Sequence, residues 1–193
     1  HGPGCGCHLP ALKGCALVHL VNLFQEQVGR LFQGTGHLFQ GGGGGTLLSL
    51  DGVNASLDGL ALGSAGQGIA ASNVPRLEVR NTDFDQFSGQ AIDLSTNRPS
   101  GTVLIVDTSS FDDSSAQSLR AVTTAGTLSG RVQQNTFSGG SDAAVLVEAR
   151  PGLFDAEAQL GIIANQVTGG ARGIVLGAHV EEQPRSALNS SLV

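Results

Sequence analysis

Large aromatic and sulfur-containing side chains are scarce in this sequence. Its 193 residues include no Trp, Tyr or Met and only 8 Phe. Charged residues make up 13% of the chain, whereas Gly occupies 29 positions. A core without large aromatics has to be built from small and β-branched side chains in thin layers. A solenoid meets this condition, because each layer packs mainly on its neighbours.

Basic residues are also few, and this shortage limits the partners we expect. The chain carries 10 Lys and Arg against 16 Asp and Glu, which gives a formal net charge of −6. A nucleic-acid-binding surface needs a stripe of cations, so we expect no nucleic-acid partner. No apolar run reaches the ~18 residues of a membrane-spanning helix, so we expect no membrane insertion of this segment. The lack of Met predicts a fragment or a processed piece of a longer protein.

The three cysteines are confined to the N-terminal region, at Cys5, Cys7 and Cys15. Disulfides therefore do not explain the stability of the remaining chain. With His8 and His19 the cysteines have the ligand chemistry of Zn²⁺, but their spacing matches no standard zinc finger. We predict no zinc site and no cofactor, with Ca²⁺ as the one alternative, discussed below.

The first 45 residues differ in composition from the rest, since they contain neither Ser nor Asp. Apolar residues at helical spacing predict an amphipathic helix over 11–33. The five-glycine run 41–45 predicts a linker. We therefore divide the chain into an N-terminal leader or capping segment, 1–45, and a repeat region, 46–193.

Internal repetition dominates the region from residue 46 onward. Large apolar anchor residues recur about every 26 positions, at Leu62, Phe84, Phe111, Phe137, Val167 and Leu192. Apolar pairs two residues apart, such as Ile92 with Leu94 and Val145 with Val147, follow the anchors and are typical of the inward positions of short strands. We therefore expect Phe84, Phe111, Phe137 and Val167 to stack in one internal column.

Small polar residues precede each anchor by two positions. They are Thr82, Ser109, Asn135, Asn165 and Ser190. Asn tolerates the left-handed backbone that a sharp corner needs, and its amide can bind nearby backbone groups. We predict that these residues form the corners of successive coils and stack into side-chain ladders.

Two of these coils resemble a known family. The segments 79–95 and 135–145 are similar to the "N-x-F … G-I-x-x" coils of right-handed parallel β-helix repeat proteins, which have the pectin-lyase-like fold. The segment 51–69 resembles coils of bacterial surface proteins, including autotransporter passengers and polymorphic outer-membrane proteins. The resemblance implies an all-β, right-handed parallel β-helix of about five to six coils over 46–193.

An acidic cluster is the one candidate for catalysis. Asn81-Thr82-Asp83 resembles the Asn-Thr-Asp element of polygalacturonase-type glycosidases, and Asp112-Asp113 resembles their Asp-Asp pair. Because Asp85 and Asp112 each follow an anchor Phe, we expect their side chains to stack on adjacent coils about 5 Å apart. Paired carboxylates at that distance are used for acid and base chemistry on sugars.

The rest of the glycosidase pattern is missing. The family follows Asn-Thr-Asp with Gly-x-Asp and needs Gly-His-Gly and Arg-x-Lys further on, whereas here Phe84-Asp85 follows. The last His is His179, and Lys13 is the only Lys. The alternative interpretation is that the four aspartates are solvated outward residues that keep a sheet face soluble.

The leading functional hypothesis is therefore non-enzymatic. It is a β-helix segment of a larger extracellular or cell-surface protein of the bacterial adhesin or passenger type, which acts as a stalk or binding surface for a carbohydrate or host-surface ligand. One alternative is a polysaccharide-active hydrolase or lyase of the same fold. The other is a surface module stabilised by Ca²⁺, for which the acidic cluster offers hard oxygen ligands.

Overall fold

The computed structural model describes residues 33–152, 154–178 and 186–192, and every helix-or-strand element within them is a β-strand. The predicted helix over 11–33 lies outside the described residues, apart from Gln33, which begins the first strand. The strands are β1 (Gln33–Asp51), β2 (Ala55–Ser72), β3 (Arg76–Arg80), β4 (Asp83–Phe87), β5 (Ile92–Thr96), β6 (Thr102–Asp107), β7 (Ser110–Ser114), β8 (Leu119–Thr123), β9 (Gly126–Gln133), β10 (Thr136–Ser138), β11 (Ala143–Ala149), β12 (Ala156–Ile163), β13 (Gln166–Thr168), β14 (Arg172–Ala178) and β15 (Ser186–Leu192).

The strands form a parallel β-solenoid of about five turns, which confirms the predicted all-β class. Three parallel stacks surround one core. Face 1 holds residues 55–58 of β2 and then β3, β6, β9, β12 and β15. Face 2 holds residues 61–65 of β2 and then β4, β7, β10 and β13. Face 3 holds residues 69–72 of β2 and then β5, β8, β11 and β14.

Alternation along each short strand decides which side chains enter the core. In β5, Ile92 and Leu94 are fully buried, and Asp93 between them points outward. Val145 and Val147 of β11 are buried in the same way. Successive side chains of a strand point to opposite faces, so the apolar pairs two residues apart line the interior, as predicted.

The predicted anchor column is confirmed over five coils. The first five anchors stack in the parallel register through four successive pairings, in the order Leu62, Phe84, Phe111, Phe137 and Val167. The Phe84 and Phe111 ring centroids are 4.7 Å apart with 3° between the planes, and Phe111 and Phe137 are 4.7 Å apart at 12°. The rings therefore stack at the strand spacing of a sheet.

The sixth anchor was assigned wrongly. Leu192 lies in β15 opposite Ile162 on face 1, and Ser190 lies opposite Leu160 instead of at a corner. In the preceding coils the residue five positions before the anchor is apolar and stacks on face 1, as Val106, Val132 and Ile162 do. An anchor at Leu192 would therefore place Ala187 at the position that Leu192 occupies. Both residues are apolar, so the hydrophobic pattern did not distinguish the two registers.

The glycine run 41–45 lies within β1, which pairs in parallel with β2. The register between the two strands shifts between Gln40 and Gly43 and again between Gly43 and Thr46. Strand pairing thus extends to the N-terminal side of the glycine run, and the functional division of the chain at residue 45 stays a prediction.

Candidate functional site

The four candidate aspartates lie on face 2 and at its edge. Asp83 and Asp85 flank the buried Phe84 in β4, and both are exposed. Asp112 follows the buried Phe111 in β7 and lies directly opposite Asp85 in the parallel register. Neighbouring strands run about 4.8 Å apart, so the predicted stacking of Asp85 on Asp112 is confirmed.

Hydroxyl groups of the following coil bind two of these carboxylates. Ser110 Oγ donates a hydrogen bond to Asp83 Oδ1 at 2.6 Å. Ser138 Oγ donates to Asp112 Oδ1. These bonds hold Asp83 and Asp112 in place on the outer surface, whereas no described residue hydrogen-bonds the Asp85 carboxylate.

Asp113 has a different position, because it forms the corner at the end of face 2. Its φ of 51° lies in the left-handed region. Residues in this conformation stack at the same corner of five coils: Ser64, Gln86, Asp113, Gly139 and Gly169. A residue that turns the chain in this way has its side chain placed by the backbone, so Asp113 does not join Asp85 and Asp112 on the flat face.

Positive charge is distributed unevenly over the described residues. Within 4.0 Å of the four face 2 aspartates there is no described Arg. On face 1, Asp107 pairs with Arg131 at 2.6 Å and with Arg80 at 3.8 Å. The Asp107 carboxylate, through its hydrogen bond and its charge, raises the pKa of Arg131. Face 2 is therefore an acidic surface, while faces 1 and 3 carry ion pairs.

The predicted corner ladder is confirmed between faces 1 and 2. The Ser109 amide donates to Asn135 Oδ1 at 2.9 Å, and the Asn135 amide donates to Asn165 Oδ1 at 2.9 Å. Asn135 Nδ2 also donates to the Val106 carbonyl at 2.9 Å. Upstream, the Thr82 amide donates to Ser109 Oγ at 3.2 Å. The Ser109, Asn135 and Asn165 side chains thus each bind the backbone of the preceding coil.

The left-handed residue at this corner is not the ladder residue that the sequence pattern indicated. It is the preceding one, and these residues are Asn81, Thr108, Gln134 and Ala164. The ladder side chain has to turn inward to reach the neighbouring coil. The residue before it therefore makes the sharp turn, and Thr, Gln and Ala occupy that position as well as Asn.

A second ladder, at the corner between faces 2 and 3, was missed in the sequence. Gln67 Nε2 donates to Gln90 Oε1 at 3.0 Å, and Gln90 Nε2 donates to Gln117 Oε1 at 3.3 Å. Gln117 Nε2 then donates to Asp142 Oδ2 at 2.5 Å, and Arg172 donates to the other oxygen of Asp142. The sequence contains a pattern that could have predicted this ladder, because each Gln comes two residues before a buried strand residue.

Asp142 ends this amide ladder with a charge. The hydrogen bond from Arg172 is the main cause that holds the pKa of the Asp142 carboxyl below its ordinary value, although desolvation opposes it. The Arg172 charge and the hydrogen bond from Gln117 act in the same direction. The ladder therefore has a fixed polarity, since a carboxylate can only accept from Gln117.

A recess lies beside Asp142, among residues that include Ser118, Gly140 and Gly170. Its volume is about 10 Å³, enough for about one water molecule. The recess is too small for a sugar ring, so it is not a candidate for a polysaccharide subsite.

Metal binding stays untested for the N-terminal cysteines and histidines, which lie outside the described residues. Among residues 33–152, 154–178 and 186–192, no three His, Cys, Asp or Glu side chains lie close enough together to hold a metal ion. Calcium binding stays a prediction. In the same part of the chain no helix is long and apolar enough to cross a membrane.

Comparison of the chain with protein-family profiles, with curated proteins and with solved structures gives no match. The established result is thus the parallel β-solenoid itself. A fold of this kind hosts several activities, so the function has to be argued from the surfaces described above.

Proposed function

We propose that this chain is a non-enzymatic section of β-solenoid from a larger secreted or cell-surface protein, where it serves as a stalk and as a binding surface. We propose surface display because the segment 51–69 resembles coils of bacterial surface proteins. A carbohydrate or a host-surface molecule is the proposed class of ligand.

The continuity of the internal contacts carries this proposal. The Phe column, the Asn ladder and the Gln ladder each pass from coil to coil without interruption. Each coil is thus stabilised by the next, and the molecule lengthens by about 4.8 Å per coil. A rod of this kind would hold ligand-binding residues away from the cell surface or from the rest of the larger protein.

Face 2 supplies a regular outer surface for this role. Its outward residues form two rows of small polar side chains: Asp83, Ser110, Thr136 and Gln166 in one, and Asp85, Asp112, Ser138 and Thr168 in the other. Hydroxyl, amide and carboxylate groups at regular spacing offer repeated hydrogen-bonding positions to an extended ligand.

Labelling of intact cells tests surface display. Antibodies raised against the full chain should bind non-permeabilised cells of the source organism, and brief treatment of these cells with protease should remove the signal. An antibody against a cytosolic enzyme serves as the control for cell integrity. Labelling that requires permeabilisation would contradict the proposal.

A polysaccharide-active enzyme is the second candidate, and the pairing of Asp85 with Asp112 favours it. The full chain should be incubated with acidic and neutral polysaccharides, and new reducing ends or unsaturated products measured. If the pair is catalytic, turnover falls by at least about 100-fold in Asp85→Asn and in Asp112→Asn, as for a missing acid or base. The exposed Asp51→Asn is the matched control. Absence of turnover in the wild-type chain would exclude these substrates.

A further inference from the structure

Two loops lie at the corner where face 3 passes into face 1. Residues 97–101 connect β5 to β6, and the loop that begins at Arg150 connects β11 to β12. Gly126 of the intervening coil lies between them. Its amide donates to the Asp155 carbonyl at 2.7 Å, and a Cβ on Gly126 would lie 2.3 Å from the Arg98 carbonyl oxygen. The loops are two coils apart, so about 10 Å separates them.

Phe154 projects from the second loop into solvent. Its side chain is 60% exposed, and it is the only exposed large hydrophobic residue among those whose side chains the structure describes. The other Phe residues whose side chains the structure describes, Phe84, Phe87, Phe111 and Phe137, belong to the core. A single exposed apolar residue is common on protein surfaces and does not by itself indicate a partner.

Arg98, in the first loop, adds an independent observation. Of the seven described arginines, it is the only one without a described carboxylate within 4.0 Å. Its Nη1 donates to the Asn73 carbonyl at 3.2 Å and its Nη2 to Ser100 Oγ at 3.2 Å, which orient the guanidinium. Its Nε is buried and has no hydrogen-bond partner among the described residues. The group is thus held in place, while no carboxylate among the described residues compensates its charge.

We propose that this corner binds an acidic segment of a partner polypeptide, with an apolar side chain on Phe154 and a carboxylate on Arg98. Aromatic and arginine side chains are the residues that most often dominate binding at protein interfaces. A guanidinium also matches a carboxylate in geometry and charge. The inference rests on the proposed role of the chain as a binding surface, and it specifies the class of partner for the corner between faces 3 and 1.

The charges around the corner determine how such a segment would lie. Asp155 is exposed next to Phe154, so the carboxylate of the partner falls at the Arg98 end. The distance of about 10 Å between the loops corresponds to about three residues of extended chain. The acidic face 2 repels the same segment, which makes the corner selective for it.

Selection from a random peptide library tests the proposal. A phage-displayed library is selected on the immobilised full chain and depleted on the double variant Arg98→Gln, Phe154→Ser. Enriched peptides should carry an apolar and an acidic residue about three positions apart. Their affinity should fall about tenfold for each single variant. Arg76→Gln, an exposed and salt-bridged arginine of face 1, should bind like the wild type.

Phe154→Ser keeps the test valid if Arg98→Gln disturbs the loop, because Phe154 is exposed and makes little contribution to the core. Basic or unbiased peptides, peptides that bind the double variant equally well, or no enrichment would each overturn the proposal. Heparin binding that depends on Arg98 but not on Phe154 would also overturn it, because a simple anion site would then explain the charge. The peptide result does not depend on cell labelling, so failure of surface display is distinguished from failure of this site.

Discussion

At the scale of single residues, close approach of neighbouring coils limits which side chains are tolerated. Gly130 in β9 lies opposite Leu104 in β6, and its φ of 131° is rare for residues with a Cβ. A Cβ at this position would lie 1.9 Å from the Leu104 carbonyl oxygen. Gly161 in the next strand of face 1 differs, since its Cβ would meet Ile163 Cδ1 at an ordinary 3.4 Å.

We expect Gly130→Ala to lower the free energy of unfolding by about 2–3 kcal/mol, because backbone strain and a clash with a carbonyl both oppose the added methyl group. Gly161→Ala should change it by less than about 1 kcal/mol, since the methyl group meets no backbone atom. Urea denaturation followed by far-UV circular dichroism measures both. Equal effects of the two substitutions would show that the close approach to Leu104 is wrong.

At the scale of the strand stacks, the Phe column joins three coils through side chains that have almost no contact with water. Phe111 lies in the middle, between Phe84 and Phe137, and its exposure is 0%. Truncation of this residue therefore removes contacts with both neighbouring coils and leaves a cavity that the strands cannot easily close.

Phe111→Ala should reduce the free energy of unfolding by about 3–5 kcal/mol, the usual cost for a buried Phe. Phe154→Ala is the matched control, because that ring is largely exposed, and it should change stability by less than about 0.5 kcal/mol. Chemical denaturation of both variants provides the measurement. A loss below about 1 kcal/mol for Phe111→Ala would contradict the stacked column.

The Asn ladder stabilises the corner between faces 1 and 2 through buried hydrogen bonds. Asn135 accepts from the Ser109 amide and donates to the Val106 carbonyl, and it is 1% exposed. Removal of its amide leaves these backbone groups unpaired in the interior, which costs about 1–3 kcal/mol for each group.

We therefore expect Asn135→Ala to destabilise the protein by at least about 2 kcal/mol. The exposed Asn54→Ala, whose side chain has no hydrogen bond to a described residue, should have little effect. Hydrogen exchange of the Ser109 amide provides a local measurement, because its protection should fall in Asn135→Ala and persist in Asn54→Ala. Unchanged protection of this amide in Asn135→Ala would disprove its bond to Asn135.

At the scale of the whole molecule, the Gln ladder links coils that are far apart in the sequence, and its end is sensitive to pH. The folded state holds the pKa of Asp142 below its ordinary value, chiefly because Arg172 donates to the carboxylate. The resulting stability is fully present above the unfolded pKa of about 3.9 and is lost as the pH falls through the lower folded value.

The melting temperature should consequently decrease on acidification below about pH 4, and Asp142→Asn should reduce this dependence. The variant should also be less stable than the wild type at neutral pH, since Arg172 loses its charged partner. Thermal unfolding between neutral and acidic pH measures both effects, with Asp51→Asn as the control. The same acid dependence in wild type and Asp142→Asn would contradict the role of this carboxylate.

Much of the coil architecture could be predicted because burial acts on the same positions in every coil. Phe84, Phe111 and Phe137 are large apolar residues at similar spacing, and each strand turns its alternate residues inward. The face on which Leu192 lies was predicted wrongly, because Ala187 is also apolar and the number of residues per coil varies. The stacking of Asp85 on Asp112 followed from the anchors, because each Asp directly follows its Phe.

The inward pattern of the sequence by itself determined that this protein is a stack of short coils, because a repeated apolar position is needed for each coil to have a core. Only the tertiary structure decided which outward residues meet. Gln90 reaches Gln117, Arg131 reaches Asp107, and Arg98 reaches no described carboxylate. These contacts join neighbouring coils, so they depend on the length of every turn between them. The hydrophobic pattern identifies buried positions, so it does not indicate which neighbours a solvated side chain contacts.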